Sequence, residues 1–294
     1  MSARVATDVV AVMLAYQGAA WLPGVLEGLA AQSLQPAHVI VVDNDSTDGT
    51  RELLDARPDI ESLQLAQNVG VGLGHVLGWE AAFRNPECRY IWSLEHDSVA
   101  HPDCLAMLYE TALARSTAGE RVGGVAARNE RNADEDAARR ASGVLPPDAY
   151  PDHRLTFNAS LFPRAAIDAV GVPRADFFVG FEDWEYSKRL LAAGFTIWQD
   201  PRALLVHRTK GDHRFGVSES VSRSYYATRN WLYIERFIEQ RPLALPRALG
   251  WSVASLAKIV LRRDQTSKRL VARVAATFDG LTGRLGPRDY RFLR

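Results

Sequence analysis

Cysteine is almost missing from this chain of 294 residues: only Cys88 and Cys104 occur, and neither sits in a C-x-x-C pair. That rules out a disulfide scaffold and fits a reducing compartment, with both thiols read as small buried or half-buried hydrophobes. Long apolar runs are missing as well. No stretch reaches the ~18 uninterrupted apolar residues of a membrane span. The nearest, Leu243 to Leu261, is broken by Pro246, Arg247 and Lys258. The opening MSARVATDVV lacks the charged, apolar and cleavage zones of a secretory signal, so the expected location is cytoplasmic. Net charge is missing too, with 35 Lys and Arg against 35 Asp and Glu. That balance conceals a gradient. Residues 201–294 hold 19 basic against 7 acidic side chains, which leaves 16 against 28 in residues 1–200. An acidic first part suits a metal site and neutral substrates. A basic last third suits an anionic surface, such as phospholipid headgroups or a polyprenyl phosphate. It has neither zinc spacing nor a Lys/Arg run, so nucleic acid is not an expected partner.

What is present alternates between buried strands and amphipathic helices. Val9 to Ala15 (VVAVMLA) is a continuous apolar run, the signature of a strand covered on both faces. Trp21 to Gln32 carries Trp21, Val25, Leu26 and Leu29 at helical spacing. Val39 to Val42 is a second buried strand. It stops abruptly at Asp43-Asn44-Asp45-Ser46-Thr47-Asp48-Gly49-Thr50, and a helix over 50–56 follows, with Thr47 or Asp48 available as its cap. Leu63 to Leu65 is a short third strand. The glycine-rich stretch from Asn68 to Gly74 turns into a helix through Phe83, and Tyr90 to Leu94 is a fourth strand. A helix from Pro102 to about Ala114 comes next. This order predicts an α/β fold whose sheet is parallel, with right-handed crossovers. Residues 128–156 read as a polar, irregular loop, and Phe157 to Phe162 as strand-like. Phe181 to Ala193 is helical and stops at Gly194. Thr196 to Gln199 and Ala203 to Val206 read as two short strands. Tyr225 to Glu239 is an unbroken helix, and two or more amphipathic helices fill 243–294. The expected division is a catalytic domain over 1–240, with halves over about 1–115 and 155–240, and a helical extension over 241–294.

Ligands of open parallel sheets bind beyond the carboxyl ends of the strands. Three polar clusters fall there: Tyr16, Asp43-Asn44-Asp45, and Glu95-His96-Asp97. They are expected to converge on one crevice. The Asp43 carboxylate only accepts hydrogen bonds, so it suits the ring N–H of uracil or thymine, and Tyr16 offers a flat face to the same base. The plainer reading of Asp43 to Asp48 is a turn and helix cap. Glu95 and Asp97, two residues apart at a strand end, suit Mn²⁺ or Mg²⁺ shared with substrate phosphates. The alternative is a capping cluster before His101-Pro102-Asp103. Glu182, Asp183 and Glu185 crowd the start of a helix among Phe181, Trp184 and Tyr186, more acid than a cap needs. A half-desolvated acid there suits proton abstraction from a sugar hydroxyl. His207 ends the strand ALLV as a candidate ligand for metal or pyrophosphate, whereas His75, His153 and His213 are less well placed. Gly70-Val71-Gly72-Leu73-Gly74 imitates a dinucleotide fingerprint, but His75 and Leu77 stand where its third glycine belongs.

Together these residues resemble glycosyltransferase family 2 over roughly 8–240. The carriers are the opening strand to Tyr16, VIVVDNDSTDGT at 39–50, NVGVGLGHVLGWEAA at 68–82, Glu95-His96-Asp97, FVGFEDWEYSKRLLAAGF at 178–195, and His207. YYATRNWLYIERF at 225–237 is similar to the tail of the rhamnosyl- and galactofuranosyltransferase branches. The resemblance implies a GT-A fold and an inverting, metal-dependent transfer from a UDP- or dTDP-sugar to a glycan or polyprenyl-linked acceptor. Such a transfer belongs to cell-surface polysaccharide or glycolipid synthesis. It implies donor contacts at Tyr16, Asp43, Asn44, Asp45, Gly70, Gly74, Glu95 and His96, and Mn²⁺ or Mg²⁺ at Asp97 and His207. Asp183 becomes the general base, and Glu182, Trp184 and Glu185 line the acceptor site. Glutamate at 95 replaces the first aspartate of the family's Asp-x-Asp motif, which leaves metal or donor sugar open as its partner. A non-catalytic carbohydrate- or lipid-binding relative is expected to lose Asp43, Asp97 and Asp183. A sugar nucleotidyltransferase is expected to carry a basic glycine-rich loop in place of Tyr16-Gln17-Gly18-Ala19-Ala20. The basic 241–294 region has two readings. One is peripheral contact with an anionic membrane, the inner face of the plasma membrane. The other is a solvated or homodimerising helical face.

Overall fold

The computed structural model describes residues 4–130, 148–207, 220–240 and 266–290, with positions 246, 250, 253 and 254 besides. The chain divides into two compact units. The first gathers Met1–Val69, Gly74–Pro173 and Tyr186–Thr209; the second gathers Gly70–Leu73, Arg174–Glu185 and Lys210–Arg294.

The first unit holds a nine-stranded sheet: β1 (Arg4–Ala15), β2 (Leu34–Asp43), β3 (Glu61–Gln64), β4 (Tyr90–Glu95), β5 (Ser98–Ala100), β6 (Val122–Glu130), β7 (Tyr150–Asp152), β8 (Ser160–Pro163) and β9 (Thr196–His207). The order is β3-β2-β1-β4-β8-β6-β9-β5, and β7 also pairs with β9. β3, β2, β1 and β4 are mutually parallel, and so are β6 and β9. β8 runs antiparallel between β4 and β6. The sheet is thus mostly parallel, as the βαβα pattern requires, with β5, β7 and β8 reversed against their neighbours.

Helices α1 (Leu22–Ala30), α2 (Thr50–Asp55), α3 (Gly70–Ala82), α4 (Cys104–Thr117), α5 (Arg164–Val170) and α6 (Glu182–Ala192) alternate with these strands. The apolar run of β1 is explained by its two faces. Val9, Ala11, Met13 and Ala15 join a core with Leu22 and Leu26 of α1 and Leu105 and Leu108 of α4. Val10 and Val12 point the other way, to Trp79 of α3, Phe162, and Tyr186 of α6. The glycines of α3 serve this packing. A Cβ on Gly74 would stand 2.6 Å from Leu14 Cδ1, and one on Gly78 2.5 Å from Val12 Cγ1.

Several boundaries differ from the sequence reading. β9 is one strand, because a register shift between Ala127 and Arg128 absorbs Pro201-Arg202-Ala203 as a bulge. The stretch read as a loop over 128–156 begins inside β6 and contains β7; its middle, 131–147, lies outside the described residues. So does His213.

In the second unit, α7 (Val221–Tyr233) runs on into a π-helical turn over Ile234–Glu239 and packs on α8 (Thr266–Thr282). Their shared core is Val221, Tyr225, Tyr226, Ala272 and Ala276. Polar anchors secure it. Buried Asp279 accepts from the Tyr225 and Tyr290 hydroxyls, and fully buried Arg229 donates to the carbonyls of Gly286 and Asp176. Most of the helices expected between 243 and 265 lie outside the described residues.

Candidate active site

Sheet register brings the strand ends together. Ala15 lies opposite Asp43, Leu14 opposite Glu95, and Ser98 opposite His207. The clusters after β1, β2 and β4 therefore line one edge of the first unit, and the short β5 carries Asp97 up to the end of β9.

There Glu95, Asp97 and His207 place one ligand atom each within 4.8 Å of one another. His207 Nε2 lies 3.1 Å from Asp97 Oδ2, and the Ser98 hydroxyl donates to Asp97 Oδ1 at 3.3 Å. Burial would raise the Asp97 carboxyl, yet its bond to His207, the nearby His207 and His96 rings and the Ser98 hydroxyl outweigh that and hold it below the ordinary carboxylate range. A carboxylate kept ionised in a half-buried place is ready for a cation. Two carboxylates and an imidazole at this spacing fit a divalent ion with open positions for substrate oxygens. His96 faces elsewhere: its Nδ1 lies 3.3 Å from the Leu14 carbonyl, and its ring fills the space a Cβ on Gly18 would need.

The Asp43–Thr50 segment is knitted to the loop after β1. Gln17 N–H donates to Ser46 Oγ, Gly18 N–H to Thr50 Oγ1, and Ala19 N–H to Asp48 Oδ2. These bonds hold the loop that follows Tyr16, a residue 44% exposed and next in the chain to Ala15, which pairs with Asp43. Asp43 is fully buried; Oδ1 accepts from Ser46 N–H, while Oδ2 has no hydrogen-bond partner and lies 3.7 Å from Arg51 Nε. Asn44 is structural in its contacts, accepting from Val69 N–H and donating to Asn68. Asp45 adopts φ +69°, an uncommon left-handed conformation for a residue with a side chain.

The second acidic group lies in the second unit. Glu182, Asp183 and Glu185 occupy the first turn of α6. Glu182 and Glu185 are buried; Asp183 and Trp184 are half-buried. Gly180 and Phe181 before them both have positive φ, +84° and +71°. Asn230 of α7 donates to the Val179 and Gly180 carbonyls and braces this strained turn. Gly70, at φ +85°, abuts the Phe178 carbonyl, 2.3 Å from where a Cβ would be.

The fold is shared with solved structures. S. aureus TarS 1-349 in complex with UDP-GlcNAc aligns with TM-score 0.57 and 13% identity, over 93% of this chain and 81% of that one. The mannosyltransferase PcManGT of Pyrobaculum calidifontis, in complex with GDP-Man and Mn²⁺, aligns with TM-score 0.55 and 16% identity, over 94% and 88%. GalNAc-T7 with UDP, GalNAc and Mn²⁺ aligns with TM-score 0.56 and 12% identity; the match covers 78% of this chain and spans only 50% of that one. The family model for Glycosyl transferase family 2 matches residues 10–170. The chain belongs to that family. The chain is 29% identical over 209 residues to Galactofuranosyltransferase GlfT1 of Mycolicibacterium smegmatis, covering 64% of this chain and 67% of the relative.

The family match takes in Asp43, Glu95 and Asp97 and ends before α6. Two polar residues beside the cluster, Ser98 and Asn158, were not singled out in the sequence. Ser98 adjoins the acidic triplet, which is its only local signal; Asn158 has none.

Proposed function

We propose that this chain moves a hexosyl or deoxyhexosyl group from a nucleoside-diphosphate donor to a hydroxyl, inverting the anomeric carbon. The acceptor is a glycan or polyprenyl-linked glycan of cell-surface synthesis. One observation carries the reading: two carboxylates and an imidazole, Glu95, Asp97 and His207, cluster at the edge where β1, β2 and β4 end. A divalent cation bound there supplies positive charge against the departing diphosphate. The mixed oxygen and nitrogen donor set favours Mn²⁺ over Mg²⁺, whose ligands are oxygen.

Asp43 Oδ2, buried and without a hydrogen-bond partner, is the acceptor for the ring N–H of uracil or thymine, and exposed Tyr16 stacks on that base. Asp183 takes the proton of the acceptor hydroxyl. The acceptor oxygen bonds to the anomeric carbon as the bond from that carbon to the diphosphate oxygen breaks. The nucleoside diphosphate leaves with the electron pair. Glu182, Trp184 and Glu185 shape the acceptor side. UDP-galactofuranose is the first donor to try, since the curated relative is a galactofuranosyltransferase; dTDP-rhamnose is the second.

Among the described residues no helix is long and apolar enough to cross a membrane. Peripheral contact is supported by α8, where Val271, Val274 and Phe278 are 52%, 64% and 53% exposed at helical spacing beside Lys268 and Arg269.

Release of nucleoside diphosphate from a donor panel, with and without Mn²⁺, tests the activity, and NMR of the product tests inversion. Mn²⁺-dependent release that Asp97→Ala abolishes is the expected result. A product retaining the donor's anomeric configuration refutes the mechanism, and donor binding with no release or transfer on any glycan makes the chain a binding relative.

A further inference from the structure

A cation site is only as good as the orientation of its ligands. Asp97 sits in the two-residue turn between β4 and β5. One of its oxygens is occupied by His207. The other is addressed by Ser98, a fully buried serine whose hydroxyl carries a single hydrogen. That hydrogen can point at Asp97 or elsewhere. Asn158, 5% exposed and sixty residues along the chain, places its Nδ2 2.7 Å from Ser98 Oγ. The amide donates, so the serine oxygen must accept, and its hydrogen is left for Asp97. Asn158 is itself braced. Its main-chain carbonyl accepts from the Thr156 hydroxyl at 2.9 Å. Ala159 follows at φ +55°, a conformation disfavoured for a residue with a Cβ, and it turns the chain into β8.

We propose that Asn158 and Ser98 are positioning residues for Asp97. They form a directed relay, amide to hydroxyl to carboxylate, that aims Asp97 at the cation. The relay rests on the reading of Asp97 as a cation ligand. It contributes no atom to the substrate; it sets the rotamer of the group that does. Outer partners of metal ligands commonly govern affinity by about 10–100-fold.

The test measures binding of Mn²⁺ alone, by the EPR signal of the free ion, on the full chain, alongside melting temperature without metal. Ser98→Ala removes the donor to Asp97. Asn158→Leu removes the amide at nearly constant volume and without new charge. Ser98→Thr restores a hydroxyl. Ser160→Ala is the control, another fully buried serine, on β8, whose hydroxyl has no hydrogen-bond partner. The expected result is a loss of Mn²⁺ affinity of about tenfold or more in Ser98→Ala and Asn158→Leu, recovery in Ser98→Thr, and no change in Ser160→Ala. Wild-type affinity in folded Ser98→Ala or Asn158→Leu, while Asp97→Asn loses Mn²⁺, overturns the relay and leaves the cation site standing. Wild-type affinity in Asp97→Asn overturns the cation site itself.

Discussion

Burial of a neutral His75 should make this protein sensitive to mild acid. The ring is fully buried in α3, with Nδ1 3.4 Å from Ser93 Oγ and its face 4.8 Å from the Phe157 ring centre. Burial lowers its pKa from 6.5 to about 3. In the folded state it therefore stays neutral at pH 5, whereas in the unfolded chain it takes up a proton below pH 6.5. The unfolded state binds more protons between those values, so stability is full above about pH 6.5 and falls as pH drops toward 3. Between pH 7 and pH 5 linkage puts the loss at about 2 kcal/mol. His75→Asn keeps an acceptor near the position of Nδ1 and cannot titrate. It should be less stable than wild type at pH 7, having lost the ring's packing. The gap should then shrink by about 2 kcal/mol at pH 5, because groups elsewhere titrate alike in both proteins and cancel. Urea unfolding of both proteins at the two pH values measures this directly. A gap of the same size at pH 7 and pH 5 would refute the reasoning, since it would mean that the native fold accepts the proton as easily as the open chain.

The remaining predictions concern the site and its setting. Asp183→Asn should lower turnover by ~10²-fold or more while donor binding, read by calorimetry, is kept; near-normal turnover removes Asp183 from the role of base. Chelation by EDTA should abolish transfer and Mn²⁺ restore it better than Mg²⁺, whereas full activity in EDTA contradicts a cation at Asp97 and His207. Gly70→Ala should destabilise the protein by more than ~1 kcal/mol, because a Cβ at φ +85° would meet the Phe178 carbonyl at 2.3 Å; an unchanged melting temperature counts against that packing. Val274→Glu with Phe278→Glu should release the protein from anionic liposomes, and high salt should do the same to wild type. Salt-insensitive binding, or none, speaks against a membrane face, and a monomer formed from a wild-type dimer assigns the helix to self-association.

Local chemistry was readable wherever it depends on neighbours along the chain. Continuous apolar runs announced β1 and β2, because a strand covered on both faces has no polar side to show, and YIWSL announced β4. The acids after those strands were visible as abrupt changes of polarity at 43–45 and 95–97. Elements that exist only through pairing were not visible. β5 has three residues in a polar stretch and is a strand because β9 lies beside it. β9 read as two pieces because Pro201 looks like an end, whereas a bulge lets it continue.

From order and residue type alone, this protein's sequence specified an α/β sheet, its family, and which acids stand at strand ends. Each of those follows from periodicity or from adjacent residues. Tertiary structure alone decided that His207 meets Asp97 across 110 residues, that Asn158 reaches Ser98 across 60, and that His75 is sealed from water. Those contacts are made by strand register and by close packing, and neither is written in any single stretch of chain.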